Sequence, residues 1–182
     1  MSASENGIHL SNATVSQLDT RIRRPAYDRE KLRARTVHMG VGAFHRAHQA
    51  VYLDELLERG ALSDWGECGM GVLPHDAAMR DALRQQDYLY TVLERSADAQ
   101  AARIIGCIMD FSLAPEDPAA AIVYLANEDT RLLSLTITEG GYFIHEGTGE
   151  FADDSPAIRH DIHQPDAPQT SLGYITAALK LR

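Results

Sequence analysis

The sequence of 182 residues predicts an α/β fold: a mostly parallel, doubly wound sheet with flanking helices. Three observations lead there. Short runs of strand character alternate with segments whose apolar residues recur at helical spacing, and parallel strands need such crossover helices. A Gly-x-Gly turn, "GVG" at 40–42, stands between the first strand and the first helix. Hydrophobic content of 45% against 24% charged residues is a globular balance, in a chain long enough for one domain with its own core.

Each element follows in chain order. Residues 1–35 form a polar N-terminal arm in which Pro25 prevents a long helix. The domain proper covers 36–182 and opens on "RTVHMGV", a short buried strand that ends at Gly42. Phe44 to Arg59 is a helix, with Ala47, Ala50, Val51, Leu53 and Leu57 on one broad face and Gly60 closing it. Asp54 falls on that apolar face, and nothing in the sequence accounts for it. "GECGMGVL", 66–73, is the second strand. Asp76 to Gln86 is a helix with Asp76 as its N-cap.

Tyr88–Arg95 and Ala102–Leu113 read as two strands separated by a polar turn. Pro115–Asn127 is a helix whose prolines stay in its first turn. Arg131–Thr138, rich in Leu, Ile and Thr, is the clearest strand. "EGGYFIHEGTGEF" is a glycine-rich turn leading to a short strand. From Ser171, "SLGYITAALKLR" begins an apolar-periodic helix with no cap or glycine at its far end. The expectation is a longer protein cut partway, the alternative being a terminal helix that simply frays.

Charge and composition exclude several function classes. A net charge of −9 and a pI near 5.3 argue against nucleic acid as a partner. Arg21, Arg23, Arg24, Arg29, Lys31, Arg33 and Arg35 are interleaved with Asp19, Asp28 and Glu30 and read as a solvated arm rather than a binding patch. No apolar run approaches the roughly 20 residues of a membrane span, and the N-terminus lacks the pattern of a secretory signal. Cys68 and Cys107 sit in apolar, strand-like stretches without metal-site spacing. Two free thiols in a reducing cytoplasm are expected.

The turn carries the chemistry. A strand, Gly40, one residue, Gly42 and a helix is the arrangement that binds a dinucleotide pyrophosphate. The first glycine permits the sharp turn, and the second lets phosphate approach the backbone. Arg46 could add charge. The third glycine of the usual pattern is replaced by His45, so the turn alone leaves a phosphate site and a structural turn both open. Asp76, beyond the second strand, stands where an acidic residue binds the ribose hydroxyls and repels a 2′-phosphate. His45 and His48, three residues apart on a helix, suggest a metal pair but lack the further ligands zinc requires. His160 and His163 read as a solvated face.

"HMGVGAFHRAHQAVYLDELL" resembles the N-terminal signature of the polyol-specific long-chain dehydrogenases, a family that includes mannitol 2-dehydrogenase and fructuronate reductase. "RDALRQQDYLYTVLE", "SLTITEGGYFI" and the arm segments "LSNATVSQL" and "RPAYDREKL" are similar to further family segments, so the resemblance covers nearly the whole chain. It implies a Rossmann-type domain that binds NAD, with NADP the less favoured cofactor. The family pattern itself carries His at the third-glycine position. By this resemblance Gly40, Val41, Gly42, Ala43, Phe44, His45 and Arg46 belong to the cofactor region, and Asp76 selects NAD. The residue before Asp76, often acidic in the family, is His75 here. Thr138 and Glu139, within "TITEGG", should lie beside the cofactor at a strand end.

The resemblance further implies hydride transfer between a sugar alcohol such as D-mannitol and NAD, giving a ketose such as D-fructose. The family's catalytic lysine, asparagine and histidine belong to a mostly helical C-terminal domain beyond residue 182. Lys180 does not match that motif. The expected chain is therefore a cofactor-binding portion without catalytic residues or a metal, awaiting its missing domain or a partner chain. A free-standing nucleotide-binding or interaction module is the alternative.

Overall fold

The computed structural model describes residues 7–136, 143–145 and 147–182. Its centre is a four-stranded parallel sheet in the order β5-β2-β1-β6. These strands are Ile108–Leu113 (β5), Trp65–Gly71 (β2), Arg33–Met39 (β1) and Leu132–Leu135 (β6). The chain winds outward from β1 to β2 and β5, then returns to the opposite side of β1 with β6. The reversal between β1 and β6 is the topological switch point, where doubly wound sheets place their ligands.

Alternation along the strands builds two different faces. Val37 and Met39 of β1 and Cys68 and Met70 of β2 turn to one side. There they pack on α4 (Pro118–Ala126) and α6 (Ser171–Leu181) through Ala121, Leu125, Tyr174 and Ala178. The opposite side is covered by α1 (Ala43–Ala47), α2 (Gln49–Glu58) and α3 (Ala77–Gln85), with Ala50, Leu53, Leu57 and Leu83 in its core. A side chain on one face cannot reach the other, because successive Cβ atoms alternate. Pro118 stands in the first turn of α4, and the side chain of Asp117 caps it by accepting from Ala120 N at 2.9 Å.

Several sequence expectations need correction. The helix from Phe44 to Arg59 is two helices, broken at His48 (φ −127°, ψ −77°). The apolar run 102–113 is two strands, because the chain bends at 106–107. β4 (Gln100–Ile105) pairs antiparallel with β3 (Tyr90–Arg95) as a separate two-stranded sheet, and only β5 joins the parallel one. Asp76 holds the N-cap position of α3, but its side chain makes no capping bond to that helix. It ends a short 3-10 turn, Pro74–Asp76, and its carboxylate accepts from Leu73 N at 3.0 Å. α5 (Pro156–His163) was not expected; its buried Asp161 accepts from Gln169 N, Thr170 N and the Thr170 hydroxyl. Thr170 in turn caps α6 by accepting from Gly173 N.

The arm is docked rather than solvated. Leu10 and Leu32 are buried. Arg29 donates to the carbonyls of Gly106, Asp87 and Ile108, and Arg35 pairs with Asp64 and Asp129. Asp54 acquires its explanation here. It accepts from Tyr27 of the arm, from Gly106 N and from the buried Arg103 of β4 at 2.9 Å. One carboxylate on α2 thus ties together three segments distant in sequence. Cys68 and Cys107 are free and buried. Burial pushes the Cys68 thiol up to about 12. Among the described residues no helix is long and apolar enough to cross a membrane.

Candidate functional site

Beyond Met39 the backbone turns sharply at the carboxyl end of β1. Gly40 adopts φ +86°, a left-handed conformation that L side chains resist. Gly40 N donates to Met70 O at 2.9 Å and Gly42 N to Gly40 O at 2.8 Å. Val41 is buried directly over Gly69 of β2, where a Cβ would stand 2.6 Å from its Cγ2. Close packing of turn on strand is therefore supplied by Gly69 rather than by a third glycine in the turn.

Gly42 is different. Its backbone (φ −79°, ψ −179°) suits any residue, and among the described residues a Cβ there would meet nothing nearer than Gly40 O at 4.0 Å. No described neighbour requires a glycine at this position. Its bare Cα faces open space at the start of α1, the condition for close phosphate approach. Ala43 and Phe44 are exposed, and the Phe44 ring lies 4.6 Å from that of His48. Arg46 folds back, its Nε donating to Gly42 O at 3.3 Å, with its guanidinium against Met79.

Asp76 lies across the carboxyl end of β2. A Cβ on Gly71 would meet Asp76 Cβ at 2.5 Å, so the carboxylate sits directly over the strand's last residue. Its side chain is a quarter exposed, and Oδ1 is 3.9 Å from Nε2 of the exposed His75. Gly40 to Arg46 and Asp76 thus gather along one edge of the sheet, at the ends of neighbouring strands. Thr138 and Glu139 lie outside the described residues. Thr136, which precedes them, has its hydroxyl 3.2 Å from His38 Nε2 at the end of β1.

His45 and His48 do not form a pair: His45 is buried, His48 exposed, and the helix breaks between them. Among the described residues no group of three potential ligands could hold a metal ion. His45 instead enters a buried polar cluster. Its ring stacks on His38 at 3.8 Å between centroids, and its Nε2 is 2.7 Å from Glu67 Oε1. The oxygen lies off the N–H axis, so this close contact is not an aligned hydrogen bond. Gln49 Nε2 donates to Ser134 Oγ at 2.8 Å, and His38 Nδ1 lies 2.8 Å from the same oxygen. Burial first, and neighbouring His45 second, push the His38 pKa down to about 3, so its ring is neutral. The signal for this cluster was a charged residue, Glu67, and a histidine, His38, in the middle of two apolar strands. Their meeting depends on strand register, with Thr36 beside Glu67 and His38 beside Ser134.

A cavity of about 550 Å³ adjoins the end of β2, lined by Val72, Leu73, Pro74, Pro115, Pro118 and Pro168 among others. Asp76 is not part of its wall.

Against known families, the model for the mannitol dehydrogenase Rossmann domain matches residues 34–182. The chain belongs to that family. Mannitol dehydrogenase domains of this kind are recognisable in both sequence and coordinates. Mannitol 2-dehydrogenase of Pyricularia oryzae is 45% identical over 176 residues, covering 96% of this chain and 35% of that protein. Mannitol dehydrogenase DSF1 of Saccharomyces cerevisiae is 43% identical, with 34% of its length covered. The solved Pseudomonas fluorescens mannitol 2-dehydrogenase, a ternary complex with NAD and D-mannitol, superposes with a TM-score of 0.92 at 43% identity. That alignment covers 96% of this chain and 36% of that one. D-sorbitol dehydrogenase, in substrate-free form, gives 0.88 at 35% identity. The chain thus spans about a third of the length of the relatives it matches.

Proposed function

We propose that this chain is the NAD-binding portion of a mannitol 2-dehydrogenase-like oxidoreductase. The complete enzyme transfers hydride between a sugar alcohol such as D-mannitol and NAD, giving a ketose such as D-fructose. The observation that carries the reading is Gly42, a glycine at the switch point for which the described residues give no steric need, in a domain that superposes on an NAD-bound relative.

In this reading the Gly40–Phe44 backbone cradles the pyrophosphate and Asp76 accepts from the adenosine ribose, disfavouring a 2′-phosphate. His75, exposed beside it, replaces a second carboxylate. Arg46 adds positive charge within the first helical turn. Thr138 and Glu139, outside the described residues, are assigned to the cofactor site by the family segment they belong to. NAD supplies hydride transfer, while these residues bind and orient it. We assign the chain from the start of β1 at Arg33 to the cofactor domain, three residues earlier than the sequence suggests, and the residues before it to the arm. The base that takes the hydroxyl proton belongs to a further domain or partner chain, in keeping with the greater length of the relatives. Exposed Leu179 and Leu181 on α6 favour that reading over a free-standing module. The buried free thiols fit a reducing, cytoplasmic setting.

Calorimetric titration with NAD, NADP and AMP is the test. Heat with NAD and AMP, weaker heat with NADP and no mannitol oxidation by the chain alone are expected. No heat with any of the three would remove the cofactor site.

A further inference from the structure

α1 has five residues, and the break at His48 cuts it from α2. A single helical turn is unstable by itself, because nucleation fixes several residues for one hydrogen bond. Its placement above the sheet must come from side chains. The described ones are few: Tyr90 OH donates to Arg46 O at 2.8 Å, Arg46 rests on Met79, and His45 alone penetrates the core.

His45 lands on a charged residue. Glu67 is wholly buried in the middle of β2, an expensive place for a carboxylate unless it has a task. Its Oε1 is 2.7 Å from His45 Nε2, and its Oε2 is 3.5 Å from Gln49 Nε2 at the start of α2. The His45 ring also lies flat on the neutral His38, whose nitrogens reach the hydroxyls of Ser134 and Thr136 on the β6 side. One imidazole therefore joins the turn to β2, β1 and β6 together.

We propose that Glu67 and His45 are positioning residues forming a buried latch. The latch sets the height and tilt of the Gly40–Arg46 turn above the sheet, and through it the affinity for the pyrophosphate of a dinucleotide. In the usual pattern a glycine lets the helix settle on the strand. Here a histidine reaching down to a buried carboxylate holds it there. The nucleotide part of this inference rests on the function proposed above; the latch itself does not.

Glu67→Gln keeps the side chain's size and removes its charge. The test compares it with the unaltered chain by amide hydrogen exchange without nucleotide. Exchange at 42–47 should accelerate at least about tenfold, while β2, α4 and α6 keep their rates. The His45 ring nitrogens, followed by ¹⁵N NMR, should shift in the variant and shift again when NAD is added to the unaltered chain. NAD affinity should fall about tenfold or more. If Glu67→Gln does not fold, His45→Gln, which keeps a donor but loses the ring stack, is read in the same way. Unchanged exchange at 42–47, acceleration spread evenly over the sheet, or a His45 resonance indifferent to Glu67→Gln would overturn the latch. A loosened turn with unchanged NAD affinity would overturn its positioning role. Failure of the unaltered chain to bind NAD would refute the proposed function, while local acceleration in the variant would still support the latch.

Discussion

The two faces of β1 and β2 come from the same two runs of seven residues, yet they are built from opposite materials. One face is Val37, Met39, Cys68 and Met70, closed over by α4 and α6. The other is Thr36, His38 and Glu67, equally buried but polar. An apolar face gains stability from every carbon it buries and places nothing in particular. A buried polar face gains little net stability but fixes geometry, because close contacts such as His45 Nε2 to Glu67 Oε1 form in only one arrangement. The polar face lies beneath the Gly40–Arg46 turn, and the site is built on the side of the sheet that is costlier to bury.

Substitutions on the two faces should therefore fail differently. Met70→Ala, on the apolar face at 0% exposure, should cost about 2–5 kcal/mol by denaturant unfolding. NAD affinity of the molecules that remain folded should be unchanged; a parallel loss of affinity would mean the faces are coupled.

On the polar face the failure should depend on pH. The folded pKa of His38 lies near 3, below its ordinary 6.5, so between these values the unfolded chain binds a proton that the folded one refuses. Stability is fully present above about pH 6.5 and falls with acidification towards pH 3, by at most about 1.4 kcal/mol per pH unit. His38→Gln should flatten the curve of unfolding free energy against pH across this window. An unaltered slope would assign the acid sensitivity elsewhere.

A smaller effect should separate affinity from stability altogether. Asp76→Asn keeps an acceptor for Leu73 N and removes the charge. The midpoint of thermal unfolding should barely move, and NADP affinity should rise about tenfold towards that of NAD, about 1.4 kcal/mol, by calorimetry. Unchanged discrimination would remove Asp76 from the ribose site.

Local pattern made β1, β2, α3, α4 and the start of α6 legible in the sequence, because their apolar periodicities are strong and their boundaries carry Gly, Pro or capping residues. The sharp turn after β1 was legible because Gly40 marks it. The break at His48 was not, since the sequence there continues a good helical pattern with no proline or glycine to mark it. The bend between β4 and β5 was hidden inside one apolar run, where the docked arm, through Arg29, accepts the exposed carbonyls. Asp54 stood unexplained on an apolar face, and Glu67 drew no notice inside its strand. Their partners, Arg103 and His45, lie 49 and 22 residues away and become neighbours only through the winding of the chain.

The central claim is that Gly42 is glycine for the sake of a bound pyrophosphate and not for the fold, and Gly42→Val tests it directly. Among the described residues the site offers the new side chain open space and an allowed backbone, so only the poorer N-cap should count and the thermal midpoint should fall by no more than a few °C. Calorimetric NAD binding should fall at least about tenfold. A variant that binds NAD as the unaltered chain does, with the same fold, would contradict the claim.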